Sequence, residues 1–178
     1  MSIELIGVHK AFGVNQVLKG FTLSVQDGDT LSVIGGSGTG KSVALKHIVG
    51  LLRPDQGEIW VDGENVSRLD LETLYVLRRR VGYVFQFAAL FDSMTIEENV
   101  GMGLRRMSDM TEAKIRSRVF DCLHLVDLDG YGDRFPSQLS GGQRKRAGFA
   151  RAIATEPKYL LYDEPTTGLD PVTTAVID

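Results

Sequence analysis

The apolar positions of the chain alternate near the N-terminus and change to a helical period later. IELIGVHKAF and VLKGFTLSV alternate and are rich in β-branched residues, with the turn-like GVN between them, so two strands are predicted. TLSVI, at 30–34, predicts a short buried strand. Three further elements are predicted in the first half: an apolar-faced helix in VALKHIVGLL, a strand between turns in RPDQGEIWVDGENV and a helix in LETLYVLRRR.

The second half predicts two buried strands on either side of a helical insertion between Gln86 and Tyr159. VGYVF predicts the strand before it, and PKYLLYDEP predicts the strand after it, which ends in two acids. Within the insertion, Thr95 and Glu98 have the spacing of a helix capping box. One apolar stripe at helical spacing contains Ile115, Val119, Leu123 and Val126. Strands alternating with helices favour an α/β fold with a largely parallel sheet.

Composition excludes several classes of protein. The 178 residues are 43% hydrophobic, which suits one domain with a real core. A net charge of −3 gives no bulk basic field for nucleic acid, and the clusters Arg78–Arg80 and Arg144–Arg146 favour solvated faces. The sequence contains neither a run of apolar residues long enough to span a membrane nor the features of a secretory signal. Cys122, the lone cysteine, predicts a buried small residue and a reducing compartment.

The sequence GGSGTGKS fits the phosphate-loop pattern G-x-x-x-x-G-K-[ST], with a predicted strand before it and a helix after it. Its residues are Gly35, Gly36, Ser37, Gly38, Thr39, Gly40, Lys41 and Ser42. The glycines let backbone N–H groups surround an anion, and the helix start adds a positive dipole end. Lys41 is predicted to reach the β- and γ-phosphates, and Ser42 to ligate Mg²⁺.

Paired acids follow the predicted last strand in YLLYDE. Ligands of open α/β sheets bind at the carboxyl ends of the strands. Asp163 is predicted to hold Mg²⁺ through its water shell. Glu164, on the other side of the strand, is predicted to orient or deprotonate the attacking water.

QLSGGQRKR is an unusual helix start, because Gly141 and Gly142 occupy its first turn. Ser140 is a good N-cap, and Gln143 stands three residues later, which predicts a capping box. Two glycines clear space for a phosphate to approach a helix N-terminus.

With GGSGTGKS, LSGGQ and LLYDEP in this order, nearly the whole chain resembles the ATP-binding cassette (ABC) ATPases. LSGGQ is the most specific of these motifs. The resemblance implies a P-loop NTPase (RecA-like) core with a mainly parallel sheet, an N-terminal antiparallel β part and an inserted α-helical subdomain. It also implies ATP and Mg²⁺ as cofactors and a head-to-tail dimer of two copies. In that dimer, Ser140, Gly141, Gly142 and Gln143 act on the partner's ATP.

The same resemblance assigns three further residues and a docking surface. Phe12 matches the aromatic that stacks on adenine; taken alone, it fits core and turn equally. Gln86 matches the glutamine that touches Mg²⁺ and the attacking water, and Asp170 matches the loop that crosses the dimer interface. FAALFDSM, at 87–94, lies where membrane permease subunits dock, although internal packing explains its apolar residues as well.

FQFAALFDSMTIEENV, PSQLSGG and LYDEPTTGLDPVTTAVID look like the ATPase of Mla-type phospholipid transporters. The close Mla-type relatives often have methionine where this chain has Gln143. The expected function is therefore ATP hydrolysis that drives lipid transport, from the cytoplasmic face of the membrane and through separate permease subunits. An ATPase of an amino-acid-type importer is the alternative. Alternatives of another class are a non-transport ABC ATPase and a non-hydrolysing ATP-dependent clamp.

The family places a switch histidine after a further strand beyond the paired acids, and His9, His47 and His124 do not match it. We therefore expect a single cassette domain over 1–178 that lacks its C-terminal part and hydrolyses ATP weakly or not at all. Its expected core is 1–86 with 156–178, and its expected helical subdomain is 87–155.

Overall fold

The computed structural model describes residues 2–107 and 110–163. The helices in this part are α1 (Lys41–Ile48), α2 (Leu71–Arg79), α3 (Ile96–Met107), α4 (Glu112–Leu125) and α5 (Gly141–Ala154). The strands are β1 (Ser2–Phe12), β2 (Asn15–Gln26), β3 (Gln56–Val61), β4 (Glu64–Asn65), β5 (Val81–Val84) and β6 (Tyr159–Tyr162). Short 3₁₀ turns occupy Val66–Arg68 and Pro136–Gln138.

The chain divides into two compact units, 1–79 and 80–178. The predicted boundaries between core and helical subdomain stay a prediction. Among the described residues, no helix is both long enough and apolar enough to cross a membrane.

The first unit contains the predicted antiparallel β part, a four-stranded sheet in the order β2-β1-β3-β4. In β1, Leu5 and Val8 are both buried although they stand three residues apart. An irregularity in the pairing with β2 separates them, and Gly7 there has a φ of 55°. This bulge inserts one extra residue, so both side chains reach the same face of the sheet. Ile6, next to Leu5, points to the opposite face and is exposed.

The prediction of a buried strand at 30–34 is wrong. In the described part of the chain, no strand pairs with this segment, and Ile34 is 94% exposed. A strand needs neighbours that take up its backbone N–H and C=O groups. Apolar spacing reports which side chains prefer burial and carries no information about those neighbours.

The second unit contains a parallel pair of strands and a three-helix cluster. Strand β5 pairs with β6, with Val81 opposite Tyr159 and Val84 opposite Tyr162. The predicted stripe on α4 is confirmed, since all four of its residues are buried in the cluster formed with α3 and α5. Cys122 is buried there as predicted, and burial raises the pKa of its thiol. The insertion between the two strands is helical, as predicted.

The two basic clusters are not simple solvated faces. Arg78 donates to the carbonyls of Val49 and Gly50 at the end of α1, at 2.9 and 3.2 Å. Arg144 donates to Leu139 O at 2.6 Å, and Arg146 donates to Val126 O at 2.9 Å, just after α4. The carbonyls at the ends of α1 and α4 lack intrahelical donors, and the long side chains of Arg78 and Arg146 reach them.

Candidate functional site

The phosphate loop, 35–42, ends in the first turn of α1. Gly40 caps this helix with a φ of 96°, and Gly38 has a φ of 78°. Both angles lie in the left-handed region, which glycine adopts without steric cost. A Cβ at Gly40 would also lie 2.8 Å from Leu18 Cδ2 and 2.9 Å from Val17 Cγ1. The glycine at position 40 is therefore required by both backbone and packing.

Lys41 folds back over this loop. Its Nζ donates to the carbonyls of Gly35 and Gly36, at 2.9 Å each. Thr39 Oγ1 also donates to Gly36 O, at 2.9 Å. The loop thus holds an ammonium group at an exposed helix start, an arrangement that fits the charge and the oxygens of a phosphate. Ser42, half-buried in the first turn of α1, offers a hydroxyl suited to Mg²⁺.

Phe12 ends β1 and is 48% exposed, so it is not a core residue. The backbone beside it is fixed, because Asp55 accepts from Ala11 N and from Lys10 Nζ at 2.7 Å each. The hydrogen bond from Lys10, followed by the one from Ala11, lowers the pKa of Asp55. The ring of Phe12 is thus half exposed at the end of β1, with Lys10 Nζ 5.8 Å from its centre. An exposed aromatic ring is what stacking on a base requires.

Asp163 directly follows β6 and is only 5% exposed. Its backbone N–H continues the strand pairing by donating to Val84 O at 3.0 Å. Its side chain accepts from the hydroxyl of Tyr83, which lies 3.1 Å from Oδ2. Burial and the nearby Asp163 raise the pKa of Tyr83, so the phenol stays a donor. Reasoning from the sequence missed Tyr83.

Gln86 begins a turn that runs to Ala89, and only Phe85 separates this turn from β5. Ala88 and Ala89 have positive φ angles of 60° and 49°, an uncommon backbone for residues with a side chain. Arg151 of α5 holds both peptides, donating to Ala88 O and Ala89 O at 2.7 Å each. The path of the chain after Gln86 is therefore fixed by α5.

The predicted docking segment, 87–94, has two different faces. Ala88 is buried, whereas Phe87 is 85% and Phe91 49% exposed. Asn99, fully buried in α3, donates to Met94 O at 3.2 Å and Thr95 O at 2.9 Å. The segment is thus anchored from within and presents two aromatic rings outward.

The helix start at Ser140 has the predicted capping box. Ser140 Oγ accepts from Gln143 N at 3.2 Å, and Ser140 N donates to Gln143 Oε1 at 2.9 Å. Accepting a bond does not use the hydroxyl proton of Ser140, which can still be donated. A Cβ at Gly141 would meet nothing within 4 Å. Packing among the residues that the structure describes therefore does not explain this glycine.

Tyr131 supports this capping box, and the sequence did not reveal that role of Tyr131. Gln143 Nε2 donates to the hydroxyl of Tyr131 at 3.0 Å. The guanidinium of Arg134 lies 4.1 Å from the centre of the Tyr131 ring, a cation–π contact that keeps the ring in place. The Thr95–Glu98 capping box is confirmed as well, with bonds of 2.7 and 3.2 Å.

The predicted site residues fall in both units. The first unit contains Phe12 and the phosphate loop, and the second contains Gln86, Asp163 and the helix start at 140–143. Glu164 and Asp170 lie outside the described residues. The roles of all of these residues stay predictions at this point.

Comparison with known proteins gives relatives over nearly the whole chain. The Probable ribonucleotide transport ATP-binding protein mkl of Mycobacterium tuberculosis is 44% identical over 177 residues, which are 99% of this chain and 49% of that protein. The chloroplastic protein TRIGALACTOSYLDIACYLGLYCEROL 3 of Arabidopsis thaliana is 44% identical over 183 residues, covering 99% of this chain and 53% of that one. The Sulfate/thiosulfate import ATP-binding protein CysA of Bordetella pertussis is 46% identical over 173 residues, which cover 96% of this chain and 48% of that protein. The chain spans about half the length of these curated relatives.

Solved structures agree with the predicted fold. The ATP-binding cassette MJ0796, in a dimeric post-hydrolysis state bound to ADP and Pi, matches with a TM-score of 0.92 and 35% identity, over 98% of this chain and 79% of that one. CbiO1 of Clostridium perfringens, part of the ABC transporter complex cbiONQ, matches with a TM-score of 0.83 and 30% identity. The match covers 98% of this chain and 70% of CbiO1. The family described as ABC transporter matches residues 18–167. The fold is thus that of an ABC cassette with a P-loop NTPase core, and the chain belongs to the ABC transporter ATPase family.

Proposed function

We propose that this chain is the nucleotide-binding domain of an ABC transporter, and that the full-length protein binds ATP with Mg²⁺ and hydrolyses it. The observation that carries this proposal is the phosphate loop, in which Lys41 lies on the carbonyls of Gly35 and Gly36. These carbonyls are weak partners for an ammonium group compared with phosphate oxygens. Lys41 therefore exchanges them for the β- and γ-phosphates when ATP binds.

Residues of both units have roles in this proposal. Ser42 and Asp163 hold Mg²⁺, Asp163 through water, and Gln86 contacts the ion and the attacking water. Mg²⁺, when bound, neutralises charge on the phosphate oxygens. Glu164 orients the water for attack on the γ-phosphate, while Lys41 stabilises the charge that develops there. Phe12 offers its exposed ring to adenine.

A second copy of the chain completes the site. Ser140 keeps a hydroxyl proton to donate, and the open space at Gly141 lets a phosphate approach the helix start. We propose that these residues, with Gly142 and Gln143, close over ATP held by the other copy. Asp170 belongs to the loop that crosses this interface. The dimeric state of MJ0796 supports the arrangement.

The face with Phe87 and Phe91 is the proposed contact with membrane permease subunits, on the cytoplasmic side of the membrane. Two exposed aromatic rings on an anchored segment suit a short helix docking against them. CbiO1 belongs to a transporter complex, which supports a partner of this kind.

We propose phospholipid as the transported substrate. Support comes from the resemblance of 85–100, 136–142 and 161–178 to the ATPases of Mla-type transporters. A relative that carries the name of a galactolipid supports a lipid substrate, whereas two others are named for ribonucleotide transport and for sulfate/thiosulfate import. This substrate is tested by reconstituting the full-length protein with the permease encoded by the adjacent gene. The transfer of a fluorescent phospholipid between liposomes is then measured. Transport of an amino acid in place of the lipid would support the importer alternative.

Nucleotide binding is tested with the full-length protein by calorimetry. Lys41→Ala is expected to weaken ATP binding at least about tenfold, because a charge-assisted contact contributes about 1.5–3 kcal/mol. Lys19→Ala, an exposed lysine on β2, is the matched control and is expected to bind like the wild type. Equal affinity in both variants would remove Lys41 from the site.

Hydrolysis and dimerisation are tested with Glu164→Gln in the full-length protein. This variant is expected to form a dimer that persists with ATP, measured by light scattering, and to release almost no phosphate. A normal rate of phosphate release would exclude Glu164 from its role. A wild-type protein that dimerises with ATP yet releases no phosphate would support the clamp alternative.

A further inference from the structure

The hydroxyl of Tyr83 and the carboxylate of Asp163 meet because of strand register. Tyr83 lies opposite Leu161 in the parallel pair β5–β6. Side chains two residues apart on a strand share a face, so Leu161 and Asp163 both lie on the face of Tyr83. The long phenol of Tyr83 reaches along this face to Asp163 Oδ2, at 3.1 Å.

The same register fixes the backbone of Asp163. Its N–H donates to Val84 O at 3.0 Å, so the sheet pairing continues one residue past β6. The peptide of Asp163 therefore cannot rotate freely. What remains to be set is the rotation of its carboxylate, and this is the group that Tyr83 contacts.

Burial gives this contact its weight. Asp163 is 5% exposed, so bulk water does little to orient its carboxylate. An ionised carboxylate offers about four acceptor positions. Tyr83 occupies one of them on Oδ2 and so limits how the group can rotate.

Tyr83 is itself held in place. Its ring packs against Phe85, with 4.3 Å between the ring centres, and it is half-buried on the strand. A rigid aromatic donor loses little conformational freedom when it makes a hydrogen bond. Tyr83 is therefore suited to orienting a second group.

We propose that Tyr83 is a positioning residue that orients the carboxylate of Asp163 toward Mg²⁺. This inference rests on the proposed role of Asp163 in holding that ion. Outer-shell partners of metal-binding groups commonly contribute tenfold or more to metal affinity. Tyr83 makes no contact with the nucleotide in this proposal, so it affects the metal and leaves the binding of metal-free nucleotide unchanged.

The test removes one oxygen atom with Tyr83→Phe, which keeps the ring against Phe85. Mn²⁺ affinity is measured by electron paramagnetic resonance on full-length protein with a non-hydrolysable ATP analogue. The variant is expected to bind Mn²⁺ about tenfold more weakly, with unchanged affinity for the analogue in EDTA. Tyr162→Phe is the matched control, because Tyr162 is on β6 and stacks on Phe149. It is expected to bind Mn²⁺ like the wild type.

A double-mutant cycle with Asp163→Asn shows whether Tyr83 acts through Asp163. In the protein that already carries Asp163→Asn, Tyr83→Phe is expected to cause no further loss of Mn²⁺ affinity. The same tenfold loss in both backgrounds, or no loss in either, would overturn the inference. If Asp163→Asn itself left Mn²⁺ binding unchanged, the proposed role of Asp163 would fail first.

A second measurement covers the case in which Tyr83→Phe does not fold. 3-Fluorotyrosine placed at position 83 keeps the hydroxyl and reports through its ¹⁹F resonance. The resonance is expected to shift when Mg²⁺ is added to the protein with bound ATP analogue, and not to shift in the Asp163→Asn variant. A ¹⁹F chemical shift that does not change when Mg²⁺ is added to the wild type would overturn the proposal.

Discussion

The side-chain amide of Asn99 binds both backbone polar groups of Phe91. Asn99 Oδ1 accepts from Phe91 N at 2.7 Å, and Nδ2 donates to Phe91 O at 3.1 Å. Asn99 lies on the buried face of α3 beside Ile96 and Val100, with no exposed surface. One buried amide thus substitutes for a strand neighbour and fixes the residue that carries an outward aromatic ring.

Asn99→Ala is expected to destabilise the protein by about 2–4 kcal/mol, because buried backbone groups lose their partners. The change is measured as the free energy of unfolding in urea, without nucleotide. Asn15→Ala, at an exposed position where β2 begins, is the control and is expected to change stability by less than about 0.5 kcal/mol. Similar values for the two variants would show that the amide does not hold the 91–95 backbone.

Features that depend on neighbours in sequence could be predicted without the structure. The phosphate loop, the capping boxes at Thr95 and Ser140 and the stripe on α4 are all local. Each is set by residues within a few positions, where spacing fixes geometry. Even β1 was correctly predicted, although a bulge at Gly7 breaks its alternation.

Features that depend on distant partners could not be predicted in this way. Tyr83 and Asp163 are 80 residues apart, and only the register of β5 and β6 brings them together. Arg151 and the turn at Ala88 are likewise joined by folding, over 63 positions. The incorrect strand at 30–34 has the same origin, since strand formation depends on a neighbour that the pattern does not specify.

Burial of His47 predicts that stability depends on pH. His47 has no exposed surface in α1, and burial lowers the pKa of its ring, with Lys10 lowering it further, against the bond to Val43 O. In the unfolded chain, His47 has an ordinary histidine pKa of about 6.5. Below that pH, His47 is therefore protonated more in the unfolded chain than in the folded protein. The contribution of neutral His47 to the free energy of unfolding is therefore fully present above about pH 6.5. It is lost as the pH falls from there toward the pKa of His47 in the folded protein.

This dependence is measured as urea midpoints between pH 7.5 and 5.5 for the wild type and His47→Gln. Glutamine keeps an N–H donor and does not titrate. The wild type is expected to lose up to about 1.4 kcal/mol per pH unit more than the variant over this range. Parallel curves would mean that His47 is readily protonated within the fold.

Gly40 and Gly63 form a matched pair for the packing at the phosphate loop. Both have positive φ angles, 96° and 82°, so alanine has a similar backbone cost at either position. A Cβ at Gly63 meets nothing within 4 Å, whereas one at Gly40 meets Val17 and Leu18 below 3 Å. Gly40→Ala is expected to cost about 1–3 kcal/mol more than Gly63→Ala, measured by urea unfolding without nucleotide. Equal costs would show that the loop relaxes away from β2.

Two glycines of α5 are predicted to respond to alanine with opposite signs. Gly141 is exposed in the first turn, and a Cβ there meets nothing within 4 Å. Gly141→Ala is therefore expected to stabilise the nucleotide-free protein by about 0.5–1 kcal/mol, through helix propensity and a less flexible unfolded chain. At Gly148 a Cβ would lie 2.9 Å from Ala88 Cβ and 3.0 Å from Ala88 Cα. Gly148→Ala is expected to destabilise, because the backbone of the turn after Gln86 has to shift.

The same pair separates a packing role from a binding role. We expect Gly141→Ala to weaken ATP-dependent dimerisation of the full-length protein if the phosphate of ATP bound to a second copy approaches Gly141. The same substitution is expected to raise the melting temperature. The added methyl group would occupy the space that the phosphate needs. No group in the described part of this chain lies within 4 Å of that methyl position, so nothing else there requires a glycine. A Gly141→Ala protein that is more stable and still dimerises normally with ATP would leave this glycine without a function. The open space at the helix start would then be no evidence for a shared nucleotide.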